Sequence, residues 1–256
     1  MKKILSLVIA AMMLLCCVSC GGKVADVEAV KAAGKMIIGI TEYAPMNYKD
    51  ENGEWTGFDT EFAELVCEKL GVTAEFIVID WDNKILELDS KGIDAVWNGM
   101  TITDEVKNGM SVSNAYVKNA QVVVMAADAV AGYADAASMA DLAFAVEAGS
   151  AGEAAAADAG LTNVTAVVDQ ATALMEVASG SVDACVIDIT MANAMTGEGT
   201  SYADLGYSVE LTTEEYGIGF RKGSDLAEEV NKIMADLIAD GTLPALAEKY
   251  SLTLAN

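Results

Sequence analysis

Histidine is absent from the chain, and there is a single arginine, Arg221. The first absence removes the imidazole general base, the Ser-His-Asp and Cys-His nucleophile pairs, and His-ligated zinc. The second, together with 39 acidic against 15 basic residues and a formal charge of −24, removes the basic surface that nucleic-acid phosphates require. Cysteine is also sparse: of five, three fall in the first 20 residues, leaving Cys67 and Cys185. Cys67 lies in an expected helix and Cys185 in an expected buried strand of a different lobe. Two buried free thiols are therefore expected rather than a disulfide, and two thiols without histidine make a poor zinc site. Neither a metal nor a cofactor is expected. What is abundant is apolar: 53% of the 256 residues, ample for one large core or two small ones.

The amino terminus reads as an address. Lys2 and Lys3 precede an apolar run from Ile4 to Val18. That run is short for a spanning helix, which needs about 20 residues, and suits a signal-peptide core. Val18-Ser19-Cys20 then sets a small residue before a cysteine. This resembles the lipobox of bacterial lipoproteins and implies a signal peptide over 1–19, lipidation at Cys20 and anchorage to the cell membrane by lipid alone. Cys17 stands where leucine is usual, and an ordinary secretory signal cleaved nearby is the alternative. Either way the mature chain is extracytoplasmic.

Beyond this the pattern alternates strand and helix. A lead-in helix spans 24–34 and a buried strand 36–40. A turn falls at 50–53. Phe58, Phe62, Leu65, Val66 and Leu70 have helical spacing stopped by Gly71. Strands over 74–79 and 93–97 flank a helix over 84–90 that Asp82 caps. A strand at 121–126 opens a second series: strand 142–146, a helix from Ser150, strand 164–168, helix 169–178 and strand 182–187. Strands at 207–211 and 217–220 follow, then helical sequence over 224–249. Such alternation argues for parallel sheets flanked by helices.

A short internal echo supports two lobes. Gly92-Ile93-Asp94-Ala95-Val96 matches Gly180-Ser181-Val182-Asp183-Ala184-Cys185 apart from one inserted residue. Gly99 and Asp188 each fall five residues past the matched aspartate, at the carboxyl ends of corresponding strands. Open α/β sheets bind ligands at that edge, so both positions are expected to line a cleft.

The ordered series Tyr43-Ala44-Pro45-Met46, Trp55-Thr56-Gly57-Phe58-Asp59, Ile79-Asp80-Trp81-Asp82, Asn98-Gly99-Met100-Thr101-Ile102-Thr103-Asp104-Glu105, Ala145-Val146-Glu147-Ala148-Gly149-Ser150, Asp183-Ala184-Cys185-Val186-Ile187-Asp188 and Tyr216-Gly217-Ile218-Gly219-Phe220 covers nearly all of the mature chain. It resembles the bacterial extracellular solute-binding proteins of family 3, the polar amino-acid-binding lipoproteins of ABC importers. The resemblance implies an α/β, periplasmic-binding-protein-like (type II) fold in which two lobes enclose a cleft. Lobe one would comprise 24–118 plus 216–256 and lobe two 123–211. The segment 20–35 would be anchor, linker and lead-in, and 119–122 and 212–215 the hinge crossovers. The expected role is a monomeric receptor that passes an amino acid or related amine to an ABC permease. A lyase or dehydratase on the same fold, or a sensory lipoprotein without a transporter, is the alternative.

The resemblance also assigns a site. Tyr43 and Trp81 match ring-stacking positions, where a cation contact is worth about 0.5–2 kcal/mol. Trp97 is read as core. Gly99 and Thr101 match a backbone carbonyl and a hydroxyl contact. Asp188 matches the carboxylate for an α-ammonium, with a helix cap as the other reading. Gly149 and Ser150 open an alanine-rich helix whose first amides suit a carboxylate. One position departs from the family: the arginine that grips the α-carboxylate is replaced by Val106. The donors left for a carboxylate would be the amides of 149–152 and the Thr101 hydroxyl. The site is then expected to tolerate loss of the carboxylate and to bind dicarboxylic amino acids poorly. Lys107 and Lys118 are the candidates for any hidden clamp.

Overall fold

The computed structural model describes residues 25–255; the signal segment, Cys20 and the linker after it lie outside the described residues. Helix α1 (Asp26–Ala33) stops at Gly34, whose left-handed φ of 70° a residue without a Cβ adopts freely. Strand β1 (Lys35–Ile40) follows, then a hairpin of β2 (Tyr48–Lys49) and β3 (Trp55–Thr56) around the expected turn. Helix α2 (Phe58–Leu70) buries Phe58, Phe62, Val66 and Leu70 on one face and ends at Gly71. Trp97 meets Phe62 edge-on at 4.9 Å and is fully buried, as core should be.

The chain continues through β4 (Thr73–Val78), a 3₁₀ turn over Trp81–Asn83, α3 (Lys84–Asp89), β5 (Ala95–Val96), α4 (Asp104–Gly109) and β6 (Met110–Val112). The expected cap at Asp82 is corrected here. Helix α3 has Asn83 at its N-cap and no side-chain cap bond; Asp80 caps the 3₁₀ turn before it, accepting from the Asp82 amide, and the Asp82 side chain faces the other lobe at Gly149. The chain leaves through β7 (Val117–Asn119).

The second series begins with β8 (Gln121–Ala126) and β9 (Phe144–Glu147), then α5 (Ala151–Asp158), β10 (Val164–Val167), α6 (Gln170–Ala178), β11 (Ala184–Asp188), α7 (Ile189–Met195) and β12 (Leu205–Glu210). The chain returns along β13 (Glu214–Tyr216) and β14 (Gly219–Arg221). Two helices, α8 (Leu226–Ala239) and α9 (Thr242–Lys249), are separated by Gly241 at a φ of 85°.

Two five-stranded sheets result, ordered β4-β1-β5-β14-β6 and β10-β9-β11-β8-β12. Each is the centre of an α/β lobe. The sheets are not wholly parallel as expected: β14 runs against β5 and β6, and β8 against β11 and β12. The physical reason lies in where these strands start. β8 and β14 are the first strands of their sheets after the chain has crossed between lobes. They begin at the edge where β5 and β11 end, and so must run back against them. The crossings lie side by side, β7 pairing antiparallel with β13, and the Leu211 amide donating to the Gln121 carbonyl at 2.7 Å.

The sequence echo is structural. The Asp94 carboxylate accepts from the Ile37 amide in β1 at 2.9 Å, and the Asp183 carboxylate accepts from the Ala143 amide just before β9 at 2.8 Å. In each lobe the same aspartate ties the turn entering a strand to the neighbouring strand.

Candidate functional site

Between the sheet edges lies a cavity of about 280 Å³, lined from one lobe by Trp81, Lys84, Asn98, Met100, Thr101 and the stretch from Thr103 through Val106, and from the other by Glu147, Gly149, Ser150, Gln170 and Asp188. Five of the seven residues marked in the sequence therefore meet here: Trp81, Thr101, Gly149, Ser150 and Asp188. Val106 is in the wall as well. A wider cavity of about 460 Å³ lies beside the crossovers, at Lys118, Glu210 and Tyr250, with no buried charged side chain in its lining.

Tyr43 and Gly99 stand behind the wall. Gly99 has a φ of 54°, and a Cβ there would come within 2.5 Å of the Tyr43 ring. Its amide donates to Asp59 Oδ2 at 2.6 Å, a carboxylate that also receives the Tyr116 hydroxyl at 2.8 Å. Tyr43 is fully buried, its hydroxyl bonded to Thr190 and Tyr216. Since Thr190 belongs to the other lobe, Tyr43 contributes a contact between lobes.

Asp188 ends β11, and its side chain makes no cap bond to the following helix. Instead three side-chain amides converge on it: Asn119 and Gln121 (2.8 Å) donate to Oδ1, and Gln170 donates to Oδ2. Gln170 is held in register because its own Oε1 accepts the Asp188 backbone amide at 2.9 Å. Glu214 shares two of these donors, accepting at 2.7 Å from Asn119, Gln121 and the Thr101 hydroxyl. Burial, and then the nearby Glu214, raise the Asp188 carboxyl to about 7, against the pull of its donors.

Glu147 is the carboxylate that the sequence reading missed. It ends β9 as Asp188 ends β11, and a charge closing an otherwise apolar strand was the available signal. It is 3% exposed, and its Oε1 has no partner among the described residues. Burial first, and Asp188 second, raise it to about 8. Both carboxylates are desolvated and face one small space, which suits a cationic group.

The rest of that lobe's wall is built around the start of α5. Ser150 caps it, accepting from the Glu153 amide at 3.1 Å, while Glu153 Oε2 accepts from the Gly149 amide at 2.8 Å. The Ser150 amide goes to the Glu147 carbonyl at 3.2 Å. Of the donors expected for a carboxylate, the Gly149 and Ser150 amides and the Thr101 hydroxyl are thus already engaged. The amides of Ala151 and Gly152 are what that turn leaves open. Lys107 is exposed beside Asp104, and Lys118 lines the cavity beside the crossovers, so neither candidate clamp reaches this space.

Lys84 does reach it, and nothing in the sequence set it apart from a solvent-facing helix lysine. Its ammonium lies 5.2 Å from the Trp81 ring centroid and donates to the Trp81 carbonyl at 3.3 Å and the Gly149 carbonyl at 2.9 Å. The second bond joins the lobes at a close approach: a Cβ on Gly149 would fall 2.6 Å from the Asp82 carboxylate. Among the described residues, no cluster of His, Cys, Asp and Glu is arranged to hold a metal.

Comparison with known proteins agrees with this architecture. The L-cystine-binding protein TcyJ of Escherichia coli (strain K12) is 29% identical, covering 86% of this chain and 84% of its own length. An L-arginine-binding protein of Pseudomonas aeruginosa is 31% identical over 86% and 89%. The crystal structure of an ABC uptake transporter substrate-binding protein from Streptococcus pneumoniae with bound histidine superimposes with a TM-score of 0.79 at 29% identity, covering 87% of this chain and 94% of that one. The pattern of one family matches residues 36–253. The chain belongs to the bacterial extracellular solute-binding proteins, family 3.

Proposed function

We propose that this protein captures an amino acid in the cavity between its lobes and delivers it to an ABC importer while tethered to the membrane through lipidated Cys20. The lobes are 24–118 with 216–256, and 123–211; they close by bending at 119–122 and 212–215. The observation that carries the ligand class is Asp188: a desolvated carboxylate at a sheet edge, oriented by three amides, facing a space the size of one small molecule. It takes the α-ammonium. The Trp81 ring covers the ligand stem, the Ala151 and Gly152 amides face its carboxylate, and Tyr43 and Gly99 shape the wall from behind. Glu147 favours ligands with a second cationic or strongly polar group and disfavours acidic side chains.

Cystine, arginine and histidine, the ligands named for the relatives, are the first to test. A thermal-shift screen of the amino acids and cystine reads the outcome directly. A ligand at about 100 times its Kd adds about 2.7 kcal/mol, or roughly 5–10 °C in a chain of this size. Absence of a shift with every one of them would overturn the ligand class. Loss of membrane association in Cys20→Ser tests the anchor.

A further inference from the structure

The geometry points to Lys84 as the partner of the ligand carboxylate, in place of the arginine that Val106 displaces. The assignment rests on the cleft being an amino-acid site. Lys84 is 5% exposed and, among the described residues, is the only cation lining the cavity. It takes part in none of their ion pairs. An ammonium has three hydrogens. Two are accounted for by the carbonyls of Trp81 and Gly149, both neutral acceptors, and the third has no acceptor among the described residues. A buried cation bonded only to carbonyls has lost most of its hydration without gaining a direct ion pair, and an anion entering the cavity supplies one.

The position fits that role. Gly149, whose carbonyl Lys84 holds, lies two residues before Ala151, the first residue of α5. Ala151, whose amide that turn leaves open, lines the cavity from the other lobe, and Val106 puts an apolar side chain into the wall where an arginine would put a cation. A carboxylate there would be held by a side chain of lobe one and a helix terminus of lobe two, so binding it would also hold the lobes together. Desolvation lowers the Lys84 amine from its ordinary pKa. Glu105, Glu147, Asp82 and Glu153 lie close enough to oppose that, though none pairs with it. The assignment predicts the opposite of the sequence-based expectation that the site tolerates loss of the carboxylate.

A purely mechanical clasp, Lys84 to the Gly149 carbonyl, would give the same burial, so the test must separate charge from clasp. Calorimetric titration compares each amino acid with its decarboxylated amine: L-arginine with agmatine, L-histidine with histamine, L-lysine with cadaverine, and L-cystine with cystamine. The wild type should prefer the acid that binds over its amine by about 10- to 100-fold, the range of a charge-assisted hydrogen bond. Lys84→Met should shrink that preference to about threefold or less, and Lys84→Arg should keep it. Lys84→Gln, which retains a donor for a carbonyl but no charge, should behave as Lys84→Met; it also serves if Lys84→Met fails to fold. A preference that survives Lys84→Gln, or equal loss of acid and amine affinity, would overturn the assignment and leave Lys84 a clasp. Binding of no amino acid by the wild type would instead overturn the proposed function, and this assignment with it.

Discussion

Raising the pH from about 5.5 to about 8 should weaken the ligand-free protein, and Glu147→Gln should remove part of that loss. With no histidine in the chain, groups of ordinary pKa are almost silent across this window: carboxylates titrate below it, lysines and tyrosines above it. Three buried carboxyls fall inside it, Asp59 and Asp188 raised to about 7 and Glu147 raised to about 8, each mainly by burial. The sign follows from proton counting. A carboxyl with a raised folded pKa binds its proton more tightly in the folded state, so its stability contribution is whole below the unfolded pKa and is lost as pH rises through the folded value. For Glu147 that window runs from 4.5 to about 8. At about 1.4 kcal/mol per pH unit the ceiling for one group is about 3 kcal/mol between pH 5.5 and 8. Water entry and relaxation on ionisation lower this to about 1–3 kcal/mol, or roughly 3–10 °C in Tm. Glutamine mimics the protonated acid, so Glu147→Gln should match the wild type near pH 5.5 and exceed it by that amount near pH 8. Calorimetry across the series measures both slopes. Parallel slopes would refute the argument, because they would mean that Glu147 ionises freely where it stands.

Asp188→Asn should weaken amino-acid binding by about 1–3 kcal/mol in calorimetric titration. It should also lower Tm slightly, because the new amide opposes the Gln170 donor; unchanged affinity would remove Asp188 from the site. Gly99→Ala should cost about 2–4 kcal/mol in urea unfolding, since its Cβ would lie 2.5 Å from the Tyr43 ring at a φ of 54°. A cost below about 1 kcal/mol would mean that the ring moves aside easily. Arg221→Met should cost about 3 kcal/mol or more in the same assay by stranding Asp26, buried and paired to Arg221 at 3.0 Å; a neutral effect would show that water reaches the aspartate. Cys67, pushed up to about 12, and Cys185, raised further from its ordinary value, should resist thiol reagents in native protein lacking residues 1–20, and react on unfolding.

Much of the architecture was legible because it is locally encoded. The face of Phe58, Phe62, Val66 and Leu70, the stop at Gly71 and the cap at Ser150 depend on neighbours within a few residues. The Asp94 and Asp183 echo carried the repeat of one lobe design in the other. Of the five marked positions that line the cavity, Asp188 was placed by its sheet edge as well as by the family resemblance, and Trp81, Thr101, Gly149 and Ser150 by the resemblance alone. Glu147 was readable by the same rule that found Asp188. Lys84 was not, since a lysine at the start of a helix looks alike whether it faces solvent or a second lobe.

Sequence by itself determined the order of the elements, the two-lobed division, the restricted chemistry of a chain without histidine, and the series of motifs that marks the family. Tertiary structure alone decided which strands run backwards, that Tyr43 stands behind Gly99 rather than in the cavity, and that Asp188 binds side-chain amides instead of capping a helix. It also decided which charges share the cleft. The reason is distance along the chain. Helix and strand are set by contacts a few residues apart, whereas Lys84 meets Gly149 across 65 residues and Asn119 meets Glu214 across 95, contacts that exist only after both lobes have folded and the crossovers have brought them face to face.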